Sequence, residues 1–286
     1  MKTAYVLKKK KRVSPGQIIA LAGFVILGFI LVFPLYYLVL ASFRQTQLLF
    51  REGMALGINL EQMTLENYAY IFSGASKYAY WYFNSIAITS LYALSALIVC
   101  SVVGYGLAVY DFKGRNLIFG LVLFVMMIPL EILMLPLYQI IIKLKLVNTY
   151  TGVILPYVAF PLGIFFFRQY AISLPRDYLD AGRIDGCTEY GLFFRIMAPL
   201  MLPAYGAMAI LLARKEWNNF VWPLVVLRTS DKYTLPIGLA SQIDPYGTGF
   251  QVLLPGAVLA ILPPVLVFIF GQKYFISGLT VGGIKG

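Results

Sequence analysis

The chain contains no histidine, only 2 cysteines and only 12 acidic residues among 286. Without histidine there is no imidazole base, no imidazole metal ligand and no histidine proton relay. Cys100 lies in an apolar run and Cys187 in a polar one, so the pair makes neither a disulfide framework nor a metal site. The sequence has no G-x-x-x-x-G-K-[S/T] loop, so it is expected to bind no ATP and no other cofactor itself. Low-complexity tracts, clear internal repeats and the ten-residue alternation of a membrane barrel are also missing. Charge of either sign is scarce, at 12% of residues.

Apolar sequence fills the space. Hydrophobic residues make up 60% of the chain, too many for a soluble domain of this length. Several runs reach the roughly 20 apolar residues that cross a bilayer. Backbone groups in lipid must be satisfied within the segment, so the expected class is all-α, a polytopic membrane protein. Six spans are expected, over about 17–41, 83–110, 117–142, 151–170, 202–224 and 251–275. Pro129 and Pro136 are expected to break the third. Residues 1–16 form a basic N-terminal segment, and the rest reads as one domain. The run after that segment is too long for a signal-peptide core and reads as a retained first span.

The net charge of +11 would suggest nucleic acid in a soluble protein. Here its distribution orients the spans, and no nucleic-acid partner is expected. With the N-terminus inside, fourteen Lys and Arg fall on cytosolic segments and seven on outer ones. Both termini are therefore expected in the cytosol, with the Lys8 to Arg12 cluster as an anchor on anionic lipid. The 171–199 segment between spans four and five is then cytosolic too.

That segment holds the most distinctive stretch, DAGRIDGCTEYGLFFRIMAP, from Asp180 to Pro199. It reads as two short helices. Pro175 suits a first turn, and Arg176 to Ile184 is expected helical. Gly186 is suited to the left-handed conformation that ends a helix. Thr188 is expected to cap the next helix, with Glu189 favourable in its first turn. Phe193, Phe194, Ile196 and Met197 give that helix an apolar face.

Within the fifth span lies Arg214-Lys215-Glu216. Successive helical residues sit about 100° apart, so the three cannot share one narrow face. A charge in mid-bilayer costs about 2.5–3.5 kcal/mol on translocon scales. Lining a translocation path, pairing locally with Glu216, or lying near the interface all lower that cost. Glu131, between two prolines, is expected to contact substrate or pack helices. Tyr205, Trp217, Asn218 and Asn219 join the path candidates because they fall on the same span. The 228–250 segment, with Pro236, Pro245 and three glycines, should be shaped by turns.

The polar elbow resembles the motif of binding-protein-dependent ABC importer permeases, E-A-A-x-x-D-G-A followed by Phe and Leu-Pro. The matching residues are Asp180, Ala181, Gly182, Arg183, Ile184, Asp185, Gly186 and Cys187, then Phe193 and Pro199. Asp180 replaces Glu, Gly182 replaces Ala and Cys187 replaces Ala. Asn148-Thr149-Tyr150, Trp217-Asn218-Asn219-Phe220, Trp222-Pro223-Leu224, Tyr233-Thr234-Leu235-Pro236 and the ending from Gly278 to Gly286 resemble the carbohydrate branch, in particular the second permease subunit of maltose-type systems.

The resemblance implies a sugar or oligosaccharide permease in a bacterial or archaeal inner membrane, driven by ATP and magnesium on separate subunits. Implied partners are a second permease forming a heterodimer, two cytosolic ATPase subunits, an extracytoplasmic sugar-binding protein, the sugar and the bilayer. Asp180, Ala181, Gly182, Arg183, Asp185, Gly186 and Phe193 would couple to the ATPase. Tyr246, Gly247 and Gly249 would contact the binding protein, and the C-terminal tail would reach the ATPase interface. An anionic saccharide or polyol phosphate is the alternative substrate. A stand-alone channel would not require the elbow. An intramembrane enzyme lacks a reactive constellation here.

Overall fold

The computed structural model describes residues 15–45, 57, 59–244 and 249–280, with side chains on the last helix described up to Gln272. Lys8 to Arg12, Tyr246, Gly247 and the ending after Thr280 lie outside the described residues. Among those described, the regular structure is helical, apart from one isolated bridge between Arg44 and Met63.

Three helices are long and apolar enough to cross a bilayer unbroken. They are α1 (Pro15–Ser42), α3 (Tyr78–Val109) and the last helix, α13 (Phe250–Thr280). A short α2 (Glu66–Phe72) precedes α3. Between α3 and α13 the chain crosses in bent pieces. α4 (Arg115–Met126) and α5 (Leu130–Lys143) meet at 107°. α6 (Tyr150–Ile154), extended by a 3-10 turn to Tyr157, meets α7 (Pro161–Ser173) at 47°. α8 (Asp177–Ile184) and α9 (Glu189–Leu200, with a π-helical stretch at Leu192–Met197) form the elbow. α9 then meets α10 (Leu202–Trp217) at 76°. α11 (Val221–Val226) and α12 (Leu235–Ala240) follow before α13. Counting each bent pair as one crossing gives six.

Two details differ from the sequence reading. The third span breaks at Pro129, which caps α5 in an extended conformation, while Pro136 is accommodated inside α5. α10 stops at Trp217 rather than continuing to 224. Asn218 closes it, its backbone N–H bonding to Arg214 and its side chain donating to the same carbonyl at 2.8 Å. Sixteen helical residues span roughly 24 Å, short of a full hydrocarbon layer. The charged triplet thus lies in a last turn, inside a broken crossing.

Packing centres on α3, which runs along α7 and against α10, while α10 also packs on α13. The α3–α7 approach is close because Gly104 carries no side chain. A Cβ there would meet Arg168 N and Phe167 Cβ at 2.8 Å and Ile164 O at 2.9 Å. Tyr92, Ala96, Cys100, Phe167, Met208 and Leu212 belong to the buried cluster that α3, α7 and α10 share. Most of α1 presents apolar side chains outward and packs inward only near its end, at Leu40, Ala41 and Ser42.

Candidate functional site

The elbow is built by local bonds that its sequence dictates. Gly186 adopts φ +77°, the left-handed value that ends α8. Gly186 N–H donates to Arg183 O at 3.0 Å and Cys187 N–H to Gly182 O at 2.9 Å, the paired bonds of a Schellman ending. Thr188 Oγ1 accepts from Gly191 N at 3.1 Å and opens α9. Between the helices, Gly182 lets Leu192 and Ile196 come down onto α8; a Cβ would sit 2.6 Å from both. Leu179, Leu192, Phe193 and Met197 are buried beneath.

The sequence candidates divide by role. Gly182 and Phe193 are interior and hold the elbow together. Asp180, Ala181, Arg183, Asp185 and Gly186 are exposed. Large apolar side chains join them outside: Ile184 is 87% exposed, Tyr190 81% and Phe194 63%. Of the apolar face expected on α9, Phe193 and Met197 are buried while Phe194 is exposed. The exposed set mixes apolar groups with the Asp180 and Asp185 carboxylates on one small unit.

Two residues join this site that motif spacing did not single out for it. Glu189 accepts from Arg183 through both oxygens, Oε1 from Nε at 3.1 Å and Oε2 from an NH2 nitrogen at 3.4 Å. Glu189 Oε2 also accepts from the Tyr110 hydroxyl at 2.7 Å, a contact 79 residues apart in sequence. These bonds hold the Glu189 carboxyl below the usual carboxylate range, with Arg183 the larger cause. Glu189 in turn raises the Arg183 guanidinium. The Tyr110 hydroxyl is pushed up, first by burial and then by its bond to Glu189. The Asp180–Arg183 pair, 3.4 Å apart, is a looser contact.

The path candidates scatter around α10. Arg214 and Asn218 are exposed at a groove of about 590 Å³ between α10, α12 and α13, with Trp217 in its wall. Leu235, Ala260 and Phe268 contribute to the apolar remainder. Trp217 is otherwise buried, its Nε1 donating to Ala260 O at 3.1 Å. Lys215 points elsewhere, into three rings: Nζ is 5.4 Å from the Tyr92 centroid, 5.0 Å from Tyr157 and 5.1 Å from Phe160. Glu216 is 5% exposed; Oε2 accepts from Asn219 Nδ2 at 3.1 Å, and Oε1 has no hydrogen-bond partner among the described residues. Tyr205 packs in the core against Phe167, with centroids 4.9 Å apart. Glu131 is exposed in the first turn of α5, where a carboxylate suits the helix dipole. The structure therefore brings Arg214, Trp217 and Asn218 together and separates them from Lys215, Glu131 and Tyr205.

The 228–234 segment is pinned. Asn148 Oδ1 accepts from Arg228 N at 3.0 Å and Thr229 N at 3.3 Å. Trp81 Nε1 donates to Ser230 O at 2.7 Å, and Asn84 Nδ2 to Asp231 O and Tyr233 O at 2.8 and 2.9 Å. Of the proposed loop-contact residues only Gly249 is described; its N–H donates to Asp244 Oδ2 at 2.8 Å. Among the described residues no cluster of acidic or thiol side chains has the form of a metal site.

Residues 100–281 match the model of a family described as binding-protein-dependent transport system inner membrane component. An arabinooligosaccharides transport system permease protein, AraQ, of Bacillus subtilis is 51% identical over 281 residues, covering 98% of this chain and all of that protein. Its counterpart in Halalkalibacterium halodurans is 57% identical over 264 residues, 92% of this chain and 95% of that one. A solved bacterial ABC transporter involved in import of the acidic polysaccharide alginate shares the fold, with a TM-score of 0.81, 21% identity, and coverage of 93% of this chain and 100% of that one.

Proposed function

This chain belongs to the family of binding-protein-dependent transport system inner membrane components, and from that membership we propose how it works and what it carries. It is a multi-pass membrane permease of ABC-type sugar uptake. The finer reading is a permease for arabino-oligosaccharides, paired with a second permease and powered by two cytosolic ATPase subunits. A sugar-loaded extracytoplasmic protein delivers the cargo. Both termini lie in the cytosol, and nucleotide and magnesium stay on the ATPase subunits.

The observation that carries the coupling part is the elbow itself. Two short helices locked at Gly186 and Thr188 project Ile184, Tyr190 and Phe194 with Asp180 and Asp185, and so form a rigid, partly apolar knob. Such a knob transmits a push as a body because its turn is fixed by backbone bonds rather than by flexible side chains. The substrate part rests on the two relatives of 51% and 57% identity and nearly full coverage. Arg214, Trp217 and Asn218 at the α10–α13 groove offer the donors and aromatic edge that a saccharide uses.

Reconstitution tests this. The chain, its partner permease, the ATPase and the cognate binding protein in proteoliposomes should import labelled arabino-oligosaccharide only with internal ATP. Uptake of that sugar without ATP or binding protein would overturn the importer reading. Exclusive uptake of a uronic-acid or phosphorylated sugar would transfer the substrate assignment to an anionic cargo.

A further inference from the structure

We propose that Glu189 and Tyr110 form a latch that fastens the elbow to the cytosolic end of α3, making Glu189 a positioning residue for coupling. The inference rests on the elbow's coupling role and names the route by which its motion enters the helix bundle.

The geometry distinguishes a latch from a staple within the elbow. Arg183 belongs to α8 and Glu189 to α9, so their bidentate contact, side-on through Nε, joins the two elbow helices. Tyr110 belongs to neither. It is the residue that closes α3, its backbone N–H bonded to Gly106 O. The 2.7 Å bond from its hydroxyl to Glu189 therefore crosses from the elbow to a membrane helix. Beneath this polar layer lies an aromatic one: the Phe193 ring sits 5.0 Å from Tyr105, and Tyr105 meets Tyr110 edge-on at 5.7 Å and 90°. Arg115 donates to the Tyr110 carbonyl at 3.2 Å, bringing the start of α4 to the same point.

Energetics favours a positioning role over a stabilising one. The Arg183–Glu189 pair is half open to water, and water screens pairs of that kind so that they add little to folding stability. What the carboxylate gains from three donors on two bodies is direction. An elbow that swings while latched must carry the end of α3 with it, and α3 packs on both α7 and α10. An unlatched elbow can still sit on its ATPase and move on its own.

The test uses the assembled transporter in proteoliposomes and reads sugar imported per ATP hydrolysed, with co-purification of the ATPase as the second readout. Tyr110→Phe removes one hydroxyl and leaves the aromatic layer intact; Glu189→Gln removes the charge at nearly constant shape. The expected result is a fall of roughly fivefold or more in sugar per ATP for both, the low end of site-to-site couplings, with the ATPase still bound. Wild-type stoichiometry in Tyr110→Phe would overturn the latch. Loss of the ATPase from either variant would also overturn it, assigning Glu189 to docking. A wild-type complex that imports no sugar would instead be a failure of the transport reading.

Discussion

Glu189 is a surface carboxylate, so its bonds are conditional on its charge. The groups around it are Arg183 and Asp180 from the elbow and Tyr110 and Tyr105 from the end of α3, with Arg115 at the Tyr110 carbonyl. Because the Glu189 carboxyl is lowered, the ordering it provides is complete above the ordinary carboxylate value of 4.5 and is lost only as pH falls through the lowered value. On the alkaline side the Tyr110 hydroxyl, raised from 10.0, stays protonated and keeps donating past its usual range. A spin label on Cys187, in the turn between Arg183 and Glu189, reads this directly. Its mobility is expected to stay constant from about pH 5 to pH 9 and to rise only in stronger acid. Glu189→Gln is expected to be mobile across that whole range. A wild-type transition near pH 6 to 7 would contradict the lowered carboxyl. Lys215 shows a different residue-scale solution. It buries its charge among three rings, each worth about 0.5–2 kcal/mol, instead of pairing with a carboxylate across the bundle.

At the scale of elements, close helix approach decides what the bundle tolerates. Gly104→Ala places a methyl group 2.8 Å from Arg168 N, a backbone atom that moves only if α7 moves. Overpacking of that kind costs about 1–3 kcal/mol. Gly106→Ala, two residues on in the same helix, meets nothing within 4 Å and gains about 1 kcal/mol of helix propensity. Thermal melts in detergent should therefore move in opposite directions for the two variants; equal shifts would mean that α3 and α7 are not in this contact. Only part of this was legible beforehand. The ending of α8 at Gly186, the Thr188 cap and the break at Pro129 follow from backbone chemistry that a few neighbouring residues specify. The 100° step between helical residues foretold that Arg214, Lys215 and Glu216 would diverge. The aromatic cage around Lys215 draws on Tyr92, Tyr157 and Phe160 from distant segments, and the Tyr110–Glu189 bond spans 79 residues. No local period encodes such meetings. Pro136 misled in the opposite way, because a helix within a membrane bundle absorbs a proline that would end one in water.

For the whole molecule, the charge asymmetry along the sequence predicts a direction that the helices alone do not. Fourteen cations fall on one set of non-spanning segments and seven on the other, and the positive-inside rule predicts that the elbow faces the cytosol. The two cysteines turn this orientation into a measurement without any substitution. Cys100 is buried at the α3–α7 seam, its thiol directed at the carbonyls of Val158 and Phe160. Cys187 is half-buried in the elbow turn. A membrane-impermeant maleimide should therefore label inside-out vesicles once per chain and leave intact right-side-out cells unlabelled until they are permeabilised. Cys187→Ser should abolish the signal, and added ATPase subunits should slow the labelling by covering the knob formed by Ile184, Tyr190 and Phe194. Labelling of intact cells would place the elbow outside and reverse the topology. Labelling that ATPase leaves unchanged would keep the topology and separate Cys187 from the docked face. The outcome bears on the direction of transport as well: labelling from the inside alone would put the elbow on the side where ATP is hydrolysed.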